Sequence, residues 1–279
     1  MRIHGLYLVL LAFLALAGCT VEQKLARSYV NSGHPARFLV LEPGYLLKYN
    51  LKDYEIPGLD SLDEYTRDSL LIENSMFLKD VNDSLLLAEF VNSFSKTLEL
   101  YGAEVVHEQF IDTLLQDGGK PYILNIAQFT LEEYVHPYYS EEVIYDEVLV
   151  ISGFDVNAIN FNVWVELGRM NTEQHNRILF LSDFLTDDVN GMFKQNLFSG
   201  KVVFDYTIDT LTVPGIYGFG RWFGEKTAYR IYDYLLNDYV RENLPENYPF
   251  VPRYYHYDPV RKVLYSSEEQ TDIIEVTEK

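Results

Sequence analysis

The stretch Asn157-Ala158-Ile159-Asn160-Phe161-Asn162-Val163-Trp164-Val165-Glu166-Leu167 decides the fold class. Ile159, Phe161, Val163, Val165 and Leu167 alternate with Asn160, Asn162, Trp164 and Glu166. Successive side chains of a strand point to opposite faces, so this period of two places the apolar set on one face and the polar set on the other. A strand with one buried and one wetter face is the antiparallel pattern. It lies in a largely β region, residues 121–210, where residues 149–152, 178–182 and 201–209 are further strand candidates.

Helical patterns flank this region. Asp83 is a natural N-cap for a helix over residues 84–101, whose Leu87, Val91, Phe94, Leu98 and Tyr101 recur at spacings of three and four, with Gly102 as its stop. A second helix follows a turn at Pro214-Gly215 and ends before Pro245. There Ala228, Ile231, Tyr232, Leu235 and Tyr239 form an apolar stripe, with Arg230, Asp233, Asn237 and Arg241 on the other side. Upstream, residues 37–41 read as a buried strand closed by Pro43-Gly44, and Pro57-Gly58 marks a turn. Residues 103–107 read as a short strand, and residues 110–116 as one or two helical turns. The order predicts an α+β fold, a mixed or antiparallel sheet with two long amphipathic helices packed on one face.

The N-terminus carries an address. A basic start at Arg2, an apolar core over residues 6–16 and small residues before Cys19 make a secretory signal peptide. The apolar run is shorter than the roughly 20 residues that span a bilayer. Leu16-Ala17-Gly18-Cys19 resembles the lipobox of bacterial lipoproteins. That resemblance implies that Cys19 is acylated, becomes the first residue of the mature chain and joins the body to a membrane through its acyl chains. In such proteins an aspartate after the cysteine signals inner-membrane retention. Thr20 stands there instead, which points to the cell envelope at the outer membrane, facing the periplasm.

The resulting organisation is a lipoprotein signal peptide at 1–18 and a lipid-anchored tether at 19–35, with a short helix over residues 22–30 ended by Asn31-Ser32-Gly33. A single α+β domain follows at 36–246, then a Tyr/Pro-rich extension with an acidic tail of disordered character at 247–279. With the anchor, the element order from Arg37 to Pro245 is similar to that of the auxiliary lipoproteins of envelope transporters and, more distantly, the curli-secretion channel lipoprotein. The resemblance implies a role in transport or assembly and assigns no site residues beyond Cys19.

Composition narrows the partners. With 42 acidic against 22 basic residues the formal charge is −20, which repels phosphate backbones and argues against nucleic acid. Cys19 is the one cysteine, so the fold has no internal disulfide and no thiol chemistry. The chain is rich in aromatic residues, with 23 Tyr and 17 Phe, as suits strands and interfaces.

Sites of chemistry are sparse. Gly215, Gly218, Gly220 and Gly224 open onto a helix, but their spacing is not a dinucleotide or phosphate-loop fingerprint, and they read as a flexible turn in which Trp222 and Phe223 pack. Asp155, Asn157 and Glu166 resemble part of a calcium loop, whose required glycine and oxygen ligand are replaced by Asn160 and Ile159. Asp183, Asp187 and Asp188 cluster at a turn and read as a solvated acidic loop, as do Glu141 and Glu142. His34, His107, His136, His175 and His256 are scattered, without metal-ligand spacing. No catalytic residue, metal ligand or cofactor follows from any of these.

Two groups of tyrosines remain: Tyr134, Tyr138 and Tyr139, and Tyr254, Tyr255 and Tyr257, the latter on the extension and suited to a partner or a neighbouring subunit. The leading expectation is therefore a lipid-anchored, non-enzymatic envelope protein that binds other envelope components or itself. The alternatives are a glycan-binding lipoprotein of nutrient uptake, which requires Trp and Tyr gathered on one surface, and a hydrolase with a noncontiguous acidic site at Asp183, Asp187 and Asp188.

Overall fold

The computed structural model of the chain describes residues 20–33, 37–52, 58–111, 121–144, 147–170, 176–196, 198–249, 253–269 and 272–276. Cys19, the signal peptide, His34 and His175 lie outside the described residues.

The chain runs α1 (Val21–Asn31), β1 (Arg37–Leu41), β2 (Leu47–Asn50), α2 (Glu64–Glu73), α3 (Asp83–Leu100), β3 (Glu104–His107), β4 (Tyr122–Ile144), β5 (Glu147–Arg169), β6 (Arg177–Thr186), β7 (Asp188–Gln195), β8 (Val202–Asp209), α4 (Val213–Glu242), β9 (Tyr254–Asp258), β10 (Val263–Ser267) and β11 (Ile274–Val276). The main sheet has the order β11-β6-β5-β4-β1-β3, with β2 also on β4. Strands β4, β5, β6 and β11 pair antiparallel, while β1 is parallel to β3 and β4, and β2 to β4. The fold is α+β with a mixed sheet, as the element order predicts. Among the described residues no helix is long and apolar enough to cross a membrane.

The alternating strand is one half of a much longer hairpin. β4 and β5 each run 23 residues and stay paired from Tyr122↔Arg169 to Ile144↔Glu147. Ile159, Phe161, Val163 and Val165 are fully buried, facing α3 and α4. The rings of Phe90, Phe129, Phe161 and Phe223 meet there at centroid distances of 4.7–6.2 Å. Pro137 lies in β4 beyond its pairing with β2, where a strand edge tolerates the missing N–H.

Two helix boundaries differ from the sequence reading. Asn82, not Asp83, caps α3, accepting from the Leu85 amide at 3.0 Å, and Leu86 and Phe90 join its buried stripe. α4 begins before Pro214, capped by Thr212, so Pro214-Gly215 is its first turn, where amides have no helical partner and proline fits.

The glycine cluster is thus inside a helix, and close packing explains it. A Cβ on Gly224 would lie 2.4 Å from the Phe90 carbonyl oxygen and 2.5 Å from Ser93 Oγ; one on Gly220 would meet Leu86 at 2.6 Å. The Ser93 hydroxyl also donates to the Arg221 carbonyl at 2.7 Å. These are the contacts of two helices that cross backbone to backbone.

The flanking segments join the same body. α1 packs Ala26 and Tyr29 against α4, with Tyr29 5.8 Å from Tyr232 and 5.2 Å from Tyr239. β9 and β10 form an antiparallel hairpin against α4, and β11 extends the main sheet along β6. Residues 254–258, 263–267 and 274–276, read from sequence as extension and disordered tail, are therefore strands. Tyr255 and Ile273 are buried in the core.

Candidate functional site

The polar side of α4 is only partly a solvated face. Asp233 and Asn237 are 4% and 9% exposed, because the β9–β10 hairpin lies over them. Asn237 bonds both backbone groups of Tyr255. Asp233 accepts from the Tyr257 amide at 3.3 Å and lies 2.8 Å from His256 Nδ1. Burial pushes the Asp233 carboxyl up from its ordinary value, and His256 partly offsets this. Tyr265 of β10 stacks on the His256 ring at 5.1 Å.

Above this seam α4 and the hairpin diverge into a cleft of about 670 Å³. One wall is a single helical face, Trp222, Glu225, Lys226, Tyr229, Arg230 and Asp233, at spacings of three and four. The other is Tyr257, the turn at Asp258, Pro259, Val260 and Arg261, and Tyr265; Tyr101 from the end of α3 closes one side. Lys262 takes a positive φ of 54° in that turn.

The rings are fixed at their bases. Tyr101 stacks on Tyr232 at 3.8 Å and donates its hydroxyl to the Tyr257 carbonyl at 3.2 Å. Burial raises the Tyr101 phenol, with the Asp233 charge adding to it; burial and Glu225 raise that of Tyr229. Trp222 is 44% exposed and Tyr265 55%, so both present open ring surface.

The charges are largely matched. Lys226 sits 5.4 Å from the Trp222 ring and pairs with Asp183 and, at 3.1 Å, with Asp272; Arg230 pairs with Asp272 at 3.0 Å. Hydrogen bonding to Lys226 holds the Asp272 carboxyl below its ordinary value. Arg230 Nε is buried and has no hydrogen-bond partner, although the terminal nitrogen of the same guanidinium has one. Among the described residues, none of those lining the cleft is a serine, cysteine or histidine. Its repertoire is aromatic stacking, hydrogen bonds accepted by carboxylates and hydrogen bonds donated by guanidinium groups.

Other candidate residues fall elsewhere. Asp183 serves Lys226. Asp187 is buried and clamps a turn, accepting from the Asn157 backbone and side chain and the Leu211 amide at 2.7–2.9 Å. Asp188 is exposed and accepts from Asn190. The three are engaged separately, and Asp187 is not a solvated loop residue. Asp155 is exposed, and Asn157 and Glu166 bond Asp187 and Asn125 respectively. Among the described residues no group of His, Cys, Asp and Glu is placed to hold a metal. His136 packs on Phe184 at 5.1 Å, and His107 lies 3.2 Å from Glu42. Of the C-terminal tyrosines, Tyr255 is core and Tyr257 lines the cleft. The run Trp222, Lys226, Tyr229, Asp233, aromatic and charged in turn on one helical face, is the sequence signal that marks the cleft.

No protein-family model matches the chain, and no curated protein matches it. Among solved structures, a neuraminyllactose-binding hemagglutinin homologue from Helicobacter pylori is similar at 11% identity and a TM-score of 0.28, over 75% of this chain and 92% of that one. A likeness of that degree adds nothing to what the cleft itself says.

Proposed function

We propose that this chain is a lipid-anchored, non-enzymatic binding protein of the cell envelope, and that its cleft takes a neutral glycan. The observation that carries the ligand class is the gathering of Trp222, Tyr229, Tyr257 and Tyr265 around one opening. A pyranose has apolar C–H faces and a rim of hydroxyls. Aromatic faces take the first, and the carboxylates of Glu225 and Asp258 suit the second. Lys226 and Arg230 already have carboxylate partners, and the chain carries a charge of −20, so an anionic ligand is disfavoured. This is the surface that the glycan alternative requires.

The envelope location rests on Leu16-Ala17-Gly18-Cys19. Thr20 caps α1 and α1 packs on α4, so an acylated Cys19 would hold the body close to the bilayer rather than on a long spacer. Glycan binding is tested by isothermal titration of the full chain, in detergent micelles, with neutral oligosaccharides of glucose, mannose and N-acetylglucosamine. We expect saturable binding of at least one series, weakened about tenfold by Trp222→Ala, a loss of about 1.4 kcal/mol. Equal affinity in the variant would remove the cleft from the binding site.

A further inference from the structure

The β4–β5 hairpin outruns the body it helps to build. The core face of β5, through Ile159 and Phe161, continues along the same side as Ile151, Gly153 and Asp155. Opposite them on β4 stand Glu141, Tyr139 and Pro137, with Val135 next in line across from Asn157. Glu133, fully buried, is the last β4 residue of this row under cover, beside Lys52 and the amides of Met76, Phe77 and Leu78. Beyond it the row opens: Val135 is 45% exposed, Tyr139 67% and Ile151 60%.

The opposite face of the same ribbon is covered. There Tyr138 and Phe154 pack on Phe204 and Tyr206 of the β7–β8 hairpin, Phe154 stacking on Tyr206 at 4.2 Å. A ribbon with one face packed and the other apolar and open has an unfilled binding surface. The Tyr139 ring lies across Gly153, where a Cβ would meet it at 2.9 Å, so the ring is held flat against the strand.

The charge on the ribbon identifies the occupant. Residues 121–168 contain no lysine or arginine, whereas the described distal part of the ribbon carries Glu141 and Asp155. Glu141 and Asp155 share the open face with Val135, Tyr139 and Ile151. A second copy would bring like charges together, which disfavours self-pairing. The geometry points to a docking surface on the distal β4–β5 ribbon for an extended, lysine- or arginine-bearing apolar segment of a partner protein. Its apolar side chains lie on Val135, Tyr139 and Ile151, and its cations meet Glu141 and Asp155.

The test uses the full chain in detergent micelles and a fluorescent 12-residue peptide of alternating lysine and valine, read by anisotropy. Alternating glutamate and valine is the control peptide. The lysine peptide is expected to bind and the control is not. The exposed pair Y139S/I151S, and separately E141K/D155K, should each weaken binding about tenfold. The charge-matched pair E99K/E108K, on α3 and the helical turn that follows β3, should leave it within about twofold. Equal weakening by E99K/E108K would reduce the effect to bulk charge and overturn the proposal. So would no binding, or a wild-type dimer in sedimentation that Y139S/I151S dissociates, since the occupant would then be a second copy. Sugar titrations of the cleft are read separately, so failure here leaves the glycan assignment standing.

Discussion

The side-chain amide of Asn237, near the C-terminal end of α4, pairs with Tyr255 of β9 as a neighbouring strand would: Nδ2 donates to the Tyr255 carbonyl at 2.8 Å, and Oδ1 accepts from the Tyr255 amide at 2.7 Å. A helix cannot extend a β-ladder with its own backbone, so a buried side chain supplies the donor and acceptor that the strand lacks. Asp233, one turn earlier, does the same for the Tyr257 amide. The seam that these residues make is the floor of the cleft. Asn237→Leu leaves both groups of Tyr255 unsatisfied in the interior and should cost about 2–4 kcal/mol, read by urea denaturation. A loss below about 0.5 kcal/mol would mean that the hairpin is held by packing alone.

Because of this seam, the C-terminal segment belongs to the folded body. Ending the chain after residue 246 removes Tyr255 and Ile273 from the core and β11 from the edge of β6. The truncated chain should unfold at a clearly lower temperature than the full chain, by calorimetry. An unchanged transition would make the segment an appendage.

Two glycines of α4 should respond in opposite directions to the same substitution. Gly224→Ala drives a methyl against the Phe90 carbonyl, which is backbone and cannot yield without separating the helices, so a loss of about 1–3 kcal/mol is expected. Gly218 has nothing within 4 Å of its Cβ position, and alanine there should stabilise by about 0.5–1 kcal/mol through helix propensity. The paired melting temperatures check both.

Glu133 makes the fold sensitive to acid. Burial alone would raise its carboxyl, but Lys52 at 2.8 Å and the three amides outweigh burial and hold it below its ordinary value of 4.5. A carboxylate lowered on folding contributes stability that is complete above about pH 4.5 and is lost as pH falls through its folded value. Denaturation midpoints measured from pH 7 to pH 3 should drop in that window. Glu133→Gln should flatten the drop and cost about 3 kcal/mol at neutral pH, since Lys52 is then buried without its charge partner.

The proposed lipidation at Cys19 is expected to be separable from folding. Cys19→Ser should abolish incorporation of labelled fatty acid, while the chain keeps the unfolding transition of wild type. Labelling that persists would contradict the lipobox assignment.

Much of the architecture is written locally. The alternation at 159–167 announces β5, and the Leu87–Tyr101 and Ala228–Tyr239 stripes announce two helices on one face of the sheet. What escapes a sequence reading depends on tertiary partners. Pro214 and the glycines look like a loop until α3 lies 2.4 Å from a Cβ that Gly224 lacks. Asp233 and Asn237 look like surface until strands arrive to be bonded. The length of β4 is obscured because Pro137 and a register shift between Ile126 and Gln128 interrupt its pattern. The cleft escapes because its walls, α4 and the β9–β10 hairpin, are separate in sequence and meet only in the fold.

The most direct measurement uses Trp222 itself. The chain has two tryptophans, Trp164 and Trp222, and Trp164 packs on Phe180 on the sheet, so Trp164→Phe leaves an emission that reports the cleft. Titrating this variant with neutral oligosaccharides of glucose, mannose and N-acetylglucosamine should give a saturable blue shift with at least one series, as a sugar face displaces water from the indole. Emission that stays constant with every series, while a control lectin responds to the same sugars, would contradict a glycan in the cleft.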